Sequence, residues 1–354
     1  MSISRTRACW AVVLCMSCAL ATRAAAQDTT FQPTFNVHGF LQIYYRAGDP
    51  LTRDGFRLRK SDLKFSGDVS PRLKWRVTFD AGKALGIDTK AVEVADSTAI
   101  SEAAIDQKSK LLQDAALTYI VNKDFSIDVG QQVLPMTLEG KMSASQIETI
   151  ERNLFTSERS RAIGLGDTRD IGVSANGFAF NTIEYHAGVF NEAGESAGTL
   201  DPNQQKTFMG RVAIHPSFLP ALQIGGTAGY QGGARPIQRR RGGTEIQYRV
   251  PLFTLRAESM SARDGDLRRF GWYGLGALRP TDRVQLSARF DSWDRDLSGE
   301  ESLINAYERQ VVVGGSYAMD AVTKIVVNVV HQTFPNVDGI PSGTFLLTAF
   351  QATF

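Results

Sequence analysis

Apolar and polar residues alternate along most of this chain with a period of two. In "RLKWRVTFD", Leu73, Trp75, Val77 and Phe79 share one face, and Lys74, Arg76, Thr78 and Asp80 share the other. "VQLSARFDS" repeats the pattern, with Val284, Leu286, Ala288 and Phe290 set against Gln285, Ser287, Arg289 and Asp291. "NTIEYHAGVF" and "TEIQYRV" do the same. Segments of about 9–11 residues with this period, repeated many times, are the pattern of strands that cross a bilayer in a closed barrel. A soluble sandwich also alternates. Two features favour the barrel: full charges recur on the polar face in strand after strand, and short connections such as "DVSP", "VNKD", "RPTD" and "MDAVT" take turns with longer polar ones.

The pattern predicts sixteen strands, at 35–46, 56–67, 72–82, 111–121, 125–133, 169–177, 181–190, 206–215, 222–231, 241–250, 252–262, 268–278, 283–292, 308–318, 323–334 and 344–354. The apolar parity of 56–67 switches midway, and 222–231 is rich in glycine. An even count puts both ends of the barrel segment on one side, expected to be the periplasmic one. Sixteen strands enclose an aqueous channel, whereas eight would be filled by side chains. The expected fold is therefore an all-β, 16-stranded antiparallel transmembrane barrel. Two stretches are read as lacking strands, 84–110 and the connection from Leu134 to Asp170. The second has a helix-like middle, with Ile147, Ile150 and Leu154 three and four residues apart. A long loop that folds inward would set the pore size of a barrel this wide.

The N-terminus adds a compartment. Arg5 and Arg7 precede an apolar run from about Ala8 to Ala21, and Ala24-Ala25-Ala26 follows. This is the form of a secretory leader. The expected division is 1–26 as signal peptide and 27–354 as a single barrel domain, exported to the periplasm and inserted into a Gram-negative outer membrane. All three cysteines, Cys9, Cys15 and Cys18, fall inside the leader. The whole chain has 39 Lys and Arg against 37 Asp and Glu, and removing Arg5, Arg7 and Arg23 leaves 36 against 37. Such a balance argues against nucleic-acid binding. At the other end, Leu346, Thr348, Phe350 and Phe354 share one face, which places Phe354 toward lipid where the last strand closes on the first.

Order and wording of several segments resemble a known family. "GFRLRKSDLKFSGDVSPRLKWRVTFD", "LQDAALTYI", "FSIDVGQQVLPMTLE", "IERN", "TRDIGVSANG" and "GRVAIHP" are similar to the phosphate-selective porins of the O and P type, over roughly residues 35–215. The resemblance implies a trimeric outer-membrane channel with an inward third loop that passes phosphate or polyphosphate along basic residues. It also makes Phe354 resemble the terminal aromatic read by the barrel-assembly machinery. On the third loop the candidate anion-binding residues are Lys141, Arg152, Arg159 and Arg161, with Arg169 where the loop rejoins the wall. The same loop carries Glu139, Glu148, Glu151, Glu158 and Asp167, a departure from an all-basic lining. Glu148 and Glu151 stand at helical salt-bridge spacing from Arg152, which makes Arg152 a loop brace and leaves Lys141, Arg159 and Arg161 freer.

Parity assigns further residues to the lumen. The basic ones are Lys74, Arg76, Arg211, Arg249, Arg256 and Arg289, together with Arg46, Lys60, Lys64 and Lys324; the acidic ones are Asp62, Asp80, Asp114, Asp128, Glu184, Glu245, Glu258 and Asp291. Most would brace the wall as cross-strand pairs, and a few near the constriction would select solutes. No Gly-x-Ser-x-Gly, His-Glu-x-x-His or phosphate-loop motif is present, and the four histidines lie in separate segments. No enzymatic role, cofactor or metal is expected. Arg239–Arg241 would meet either phosphate-bearing lipid, including lipopolysaccharide, or only water, and Asp291, Asp294 and Asp296 lack the spacing of an EF-hand. Passive diffusion of small hydrophilic solutes, anions foremost, is the leading function. A weakly selective porin and a structural or adhesive barrel are the alternatives.

Overall fold

The computed structural model describes residues 31–83, 86–94, 97–106, 111–157, 168–191, 206–231, 238–299, 306–336 and 340–354. The segment 1–26, expected to be a leader, lies outside the described residues. Eighteen strands follow in chain order: β1 (Asn36–Ala47), β2 (Gly55–Ser70), β3 (Leu73–Asp80), β4 (Gly86–Val94), β5 (Ser97–Asp106), β6 (Leu112–Asn122), β7 (Phe125–Val133), β8 (Arg169–Ala179), β9 (Ile183–Phe190), β10 (Thr207–Ile214), β11 (Leu222–Gln231), β12 (Arg239–Arg249), β13 (Phe253–Asp264), β14 (Leu267–Leu278), β15 (Val284–Asp294), β16 (Glu308–Ala318), β17 (Thr323–Thr333) and β18 (Gly343–Thr353).

Sixteen of them close into one antiparallel barrel in which each strand pairs with its sequence neighbours, except that β3 pairs with β6. Strands β4 and β5 form a separate two-stranded sheet. This corrects the expectation for 84–110. Its segments "GIDTKAVEV" and "STAISEAAID" carry few large apolar side chains, so their pairing leaves little alternation to see. The barrel seam joins β1 to β18, from Phe40 opposite Thr353 to Ala47 opposite Leu346. Beyond it, Phe354 donates its N–H to the carbonyl of Gly39 at 3.0 Å and accepts the Gly39 N–H in return. The Phe354 ring occupies the space that a Cβ on Gly39 would need.

The two faces of the wall have opposite chemistry. Ile246, Leu255, Trp272, Leu286, Val313 and Val327 project outward and are exposed on the barrel surface, as a lipid-facing band requires. Gln42, Arg211, Glu245, Arg256, Arg289 and Asn328, of the other parity, are buried. The parity switch in β2 has a local cause. Lys60 stands opposite Gln42 but Leu58 opposite Ile43, so Arg59 is the extra residue of a bulge. Both Arg59 and Lys60 thereby reach the polar side.

Turns at one end are tight. That between β8 and β9 holds Phe180 and Asn181 at φ 54° and 55°, with the Thr182 N–H bonded to the Ala179 carbonyl at 3.1 Å. Two successive positive φ values match the right-handed twist of the flanking strands, at a steric cost for Phe180. At the opposite end lie the longer connections, of which the third, between β7 and β8, carries the candidate site.

Candidate functional site

The described part of the third connection, residues 134–157, is bonded to wall side chains of distant strands. It begins with a helical turn, Leu138–Lys141, whose N-cap Thr137 accepts the Gly140 N–H at 3.0 Å. The free N–H groups of that turn need an acceptor. Glu258 on β13 supplies it, taking the N–H of Leu138 at 2.7 Å and of Glu139 at 2.9 Å, while Tyr273 on β14 donates its hydroxyl to the same carboxylate at 2.6 Å. Residues 152–153 are stitched back onto the turn. Arg152 donates to the carbonyls of Glu139 and Met142, and the Asn153 N–H donates to the Glu139 carboxylate at 2.7 Å.

Glu139 is buried, which alone would raise its carboxyl. Arg289, Arg256, Arg152 and the Asn153 N–H outweigh that and hold it below the usual carboxylate range.

Between these two pieces the chain is bonded to side chains of β2, β12, β13, β15 and β17. Glu148 accepts two bonds from Arg256, both at 2.9 Å, and one from Arg249 at 3.2 Å. Arg289 donates to Thr149 Oγ1 at 2.6 Å and to the carbonyls of Glu151 and Arg152 at 2.8 and 3.0 Å. It also donates Nε to Asp291 at 2.8 Å. The Ile150 N–H reaches Asn328 Oδ1 at 2.8 Å, Lys324 Nζ reaches the Ser145 carbonyl at 3.2 Å, and Arg59 reaches Glu151 at 2.9 Å.

Two apolar seats accompany these bonds. Leu134, Met136, Leu154 and Phe155 cluster with Met209, Met260, Tyr273, Leu275 and Trp293. Ile150 clusters with Tyr44, Val312, Val326, Val330, Phe345, Leu347 and Ala349. The face expected to be uniformly polar is therefore apolar where the loop rests. Parity shows which face a residue is on; it does not show what packs against that face.

Two cavities adjoin the loop. The larger, 570 Å³, is lined by the cations Lys60, Lys64, Arg76, Lys141, Arg152 and Arg169 against the carboxylates Asp62 and Asp114. The second, 390 Å³, has Arg46, Arg152, Arg289 and Arg295 with Asp49, Glu151 and Glu308 on one side, and Val312, Val330, Phe345 and Leu347 on another. Arg152 lines both.

The sequence-derived residues fall as follows. Lys141 lies 3.5 Å from Glu184 and is half-buried, so it is less free than its position implied; burial and then Arg211 lower its pKa, against the pull of Glu184. Arg152, expected to brace the loop through Glu148 and Glu151, is bonded to backbone carbonyls of the loop. The expected helical pairing with Glu148 and Glu151 does not form, because 147–153 is not helical and those acids pair with wall arginines. A second helical turn covers only Leu154–Ser157. Arg159 and Arg161, with Glu158 and Asp167, lie outside the described residues. Arg169 pairs with Asp114 at 3.2 Å.

On the wall, Arg211 sits between Glu245, at 2.5 Å, and Glu184, at 2.8 Å. Arg76 bonds Asp128 at 3.0 Å and Thr118 at 3.1 Å. Lys74, near the short turns, is 3.4 Å from Asp68 and half-exposed. Lys64 is exposed in the larger cavity and has no hydrogen bond or ion pair among the described residues. Arg59, which alternation did not single out, is reached only by recognising that the parity switch in β2 is a bulge. Of the acidic trio, Asp291 faces Arg289, and no group of three or more His, Cys, Asp or Glu among the described residues is placed to hold a metal.

A family model described as phosphate-selective porin O and P matches residues 31–232. No curated protein matches the chain. Among solved structures, the outer membrane channel DcaP of Acinetobacter baumannii superposes with a TM-score of 0.61 at 9% identity, covering 94% of this chain and 100% of that one. An anion-selective porin from Comamonas acidovorans gives 0.58 at 13% identity, covering 91% and 100%. OmpT of Vibrio cholerae, in a trimer form, gives 0.56 at 9% identity, covering 92% and 100%.

Proposed function

The chain belongs to the phosphate-selective porin O and P family, and from that premise we propose that this outer-membrane barrel is a passive channel for small hydrophilic anions, phosphate and polyphosphate being the class its lining suits. In this reading the third loop folds into the lumen and forms the constriction. The observation that carries it is the larger cavity beside that loop, where six cations face two carboxylates although the barrel domain as a whole is close to neutral. Charge acts most strongly where the passage is narrow and its walls are poor in water; in the wider mouth, screening over about 8–10 Å blunts it. Arginine forks suit oxyanions, and Lys64, with no ion pair among the described residues, would be the first cation that a solute displaces water from.

The tight-turn end faces the periplasm, so the long connections and the strand ends that carry them face outward. The working unit is a homotrimer, a state that the OmpT neighbour adopts. Export by the leader 1–26 and recognition by the barrel-assembly machinery through Phe354 belong to the same reading; the latter is supported by the place of Phe354 at the seam.

Reversal potentials across a KCl gradient in a planar bilayer test the proposal. Anion preference that weakens when phosphate is added, because phosphate occupies the site, is the expected result. Cation preference in the parent channel would overturn it. No preference together with open conductance would support the weakly selective porin, a reading that the acid partners of Lys60, Arg76, Lys141 and Arg169 favour.

A further inference from the structure

The outward face of β12–β14 carries an arrangement that the channel does not use. Arg240 on β12 stands directly opposite Arg263 on β13, which stands directly opposite Arg268 on β14. All three are exposed and share the parity of the lipid-facing Ile246, Leu255 and Trp272. Directly opposed residues in an antiparallel pair have Cβ atoms about 4.5–5.5 Å apart, and like charges so placed repel. The inward face at the same level solves the problem internally. There Arg241 and Arg269 converge on Asp264 at 2.6 and 2.9 Å. The outward three have no such centre. Arg263 bonds the Gly265 carbonyl at 2.8 Å and lies 3.7 Å from the fully exposed Asp266. The side chains of Arg240 and Arg268 have no partner among the described residues.

What lies beneath them, along the strands toward the middle of the wall, is a trough. The next row in register is Ala228, Gly242, Ser261 and Phe270, and the one after is Gly226, Thr244, Ser259 and Trp272. Nothing lies within 4 Å of where a Cβ on Gly242 would be, so the space over it is open. Thr244 and Ser259 bond each other at 2.8 Å, which removes their need for an outside partner. Exposed Phe270 and Trp272 form one bank, and Tyr230, opposite Arg240, stands at the top of the other. A row of three exposed guanidinium groups, two of them without a partner among the described residues, at the rim of an apolar band and above an open trough, is complementary to one kind of molecule.

We propose that Arg240, Arg263 and Arg268 bind the phosphate-bearing headgroup of an outer-leaflet glycolipid, with one of its acyl chains lying in the trough over Gly242 and between Trp272 and β11. A phosphate bridging neighbouring guanidinium forks turns the mutual repulsion of the row into a set of charge-assisted bonds. It also explains the level of the row: an arginine on the lipid face costs about 2–4 kcal/mol at the bilayer midplane and almost nothing at the interface. The assignment to the outer leaflet rests on the orientation proposed above, in which the long connections face outward.

The test uses the folded, detergent-solubilised protein titrated with lipid A carrying its phosphates and with the same lipid A dephosphorylated. Binding is read by the fluorescence of outward-facing Trp272 and by native mass spectrometry. The phosphorylated form should bind more tightly, with an affinity that falls as salt is raised. The triple variant Arg240→Gln, Arg263→Gln, Arg268→Gln should bind it roughly ten-fold or more weakly, and its single-channel conductance should match the parent. Gly242→Leu, which fills the trough and keeps the arginines, should weaken both forms. Equal affinity for the two forms, an unchanged affinity in the triple variant, or displacement of the lipid by inorganic phosphate alone would each overturn the proposal. Should the triple variant fail to fold, the phosphate and salt dependence of the parent decides. Intact conductance with no lipid preference would defeat the lipid site and leave the channel standing; absence of conductance would defeat the channel and leave the lipid site to its own measurement.

Discussion

Arg289 is the residue whose loss should free the third loop most directly. It is 2% exposed, and two of its nitrogens are committed to the loop through Thr149 Oγ1, the Glu151 carbonyl and the Arg152 carbonyl. Arg289→Met keeps the apolar stem of the side chain and removes all three bonds. Asp291→Asn is introduced with it, so that the buried Asp291 carboxylate is not left facing a missing guanidinium, while Glu139 keeps Arg256 and Arg152. Bonds from a charged donor contribute about 1.5–3 kcal/mol each, and breaking a buried ionic network costs about 3–5 kcal/mol in total. That cost falls on loop docking, because the backbone ladder of β15 with β14 and β16 is untouched. Each 1.4 kcal/mol is a factor of ten, so the undocked loop should gain roughly two to three orders of magnitude in population. Glu148 with Arg256, the Glu258 cap and both apolar seats remain, so the loop is loosened rather than lost.

Planar-bilayer recordings should show larger and noisier single-channel steps, and trypsin should cut at Arg152 in the folded barrel. Conductance, noise and protease resistance all equal to the parent, in a variant that still folds, would refute the reasoning that these bonds hold a pore-narrowing loop.

Three further outcomes follow from the same geometry. Lys64→Glu should lower anion preference in reversal-potential measurements more than Lys74→Glu, because Lys64 lines the larger cavity with no partner among the described residues whereas Lys74 is half-exposed near the short turns beside Asp68; equal effects would move the filter elsewhere. Glu139 has a folded pKa below its ordinary value of 4.5, so its contribution to docking is full above that value and is lost progressively as pH falls from there through the depressed folded value; the parent channel should therefore become noisier below that range, Glu139→Gln should lack this acid-induced rise, and identical pH profiles for the two would contradict this. Removing Phe354 deletes two seam hydrogen bonds to Gly39, about 1–3 kcal/mol together, and should reduce the heat-modifiable folded fraction seen on gels.

The wall was legible because its two faces meet different media, and alternation is the direct record of that. Strands 125–133, 222–231 and 308–318 have the bounds that the pattern gives. Even the midway switch in β2 was visible as a fault in the pattern, although the bulge at Arg59 needs the pairing with Gln42 to identify it. The loop was legible in place but not in shape. Its spacing of Ile147, Ile150 and Leu154 suits a helix, yet the backbone there is spent on wall partners such as Asn328 instead of on itself. Glu148 could be paired on paper with Arg152, four residues away. Its partner is Arg256, 108 residues away, and no local spacing encodes that. The β4–β5 hairpin was missed for a third reason: a pair of strands outside the barrel wall need not present one apolar face to lipid.

Strands β16–β18 show how such a loop can be held in a wet barrel. A loop surrounded by water and charged side chains gains little from ion pairs alone, since each partner gives up hydration to form them. Burial of apolar surface supplies what the ion pairs do not, about 1.5–3 kcal/mol for a fully buried aliphatic or aromatic side chain. Ile150 and Phe155 are the loop residues so placed, at 0% and 1% exposure. For that, the wall must be apolar on both faces where they land, which is why "TKIVVNVVHQ" hardly alternates. Its interior residues Lys324, Val326, Asn328 and Val330 divide the task in sequence. Lys324 takes the Ser145 carbonyl and Asn328 takes the Ile150 N–H, while Val326 and Val330 form the seat around Ile150. Two polar residues fix where the loop lies and two apolar ones make it stay. A strand of this composition, read by alternation alone, looks like a weaker barrel strand than its neighbours, although its apolar residues serve an exposed outer face on one side and seat the loop on the other.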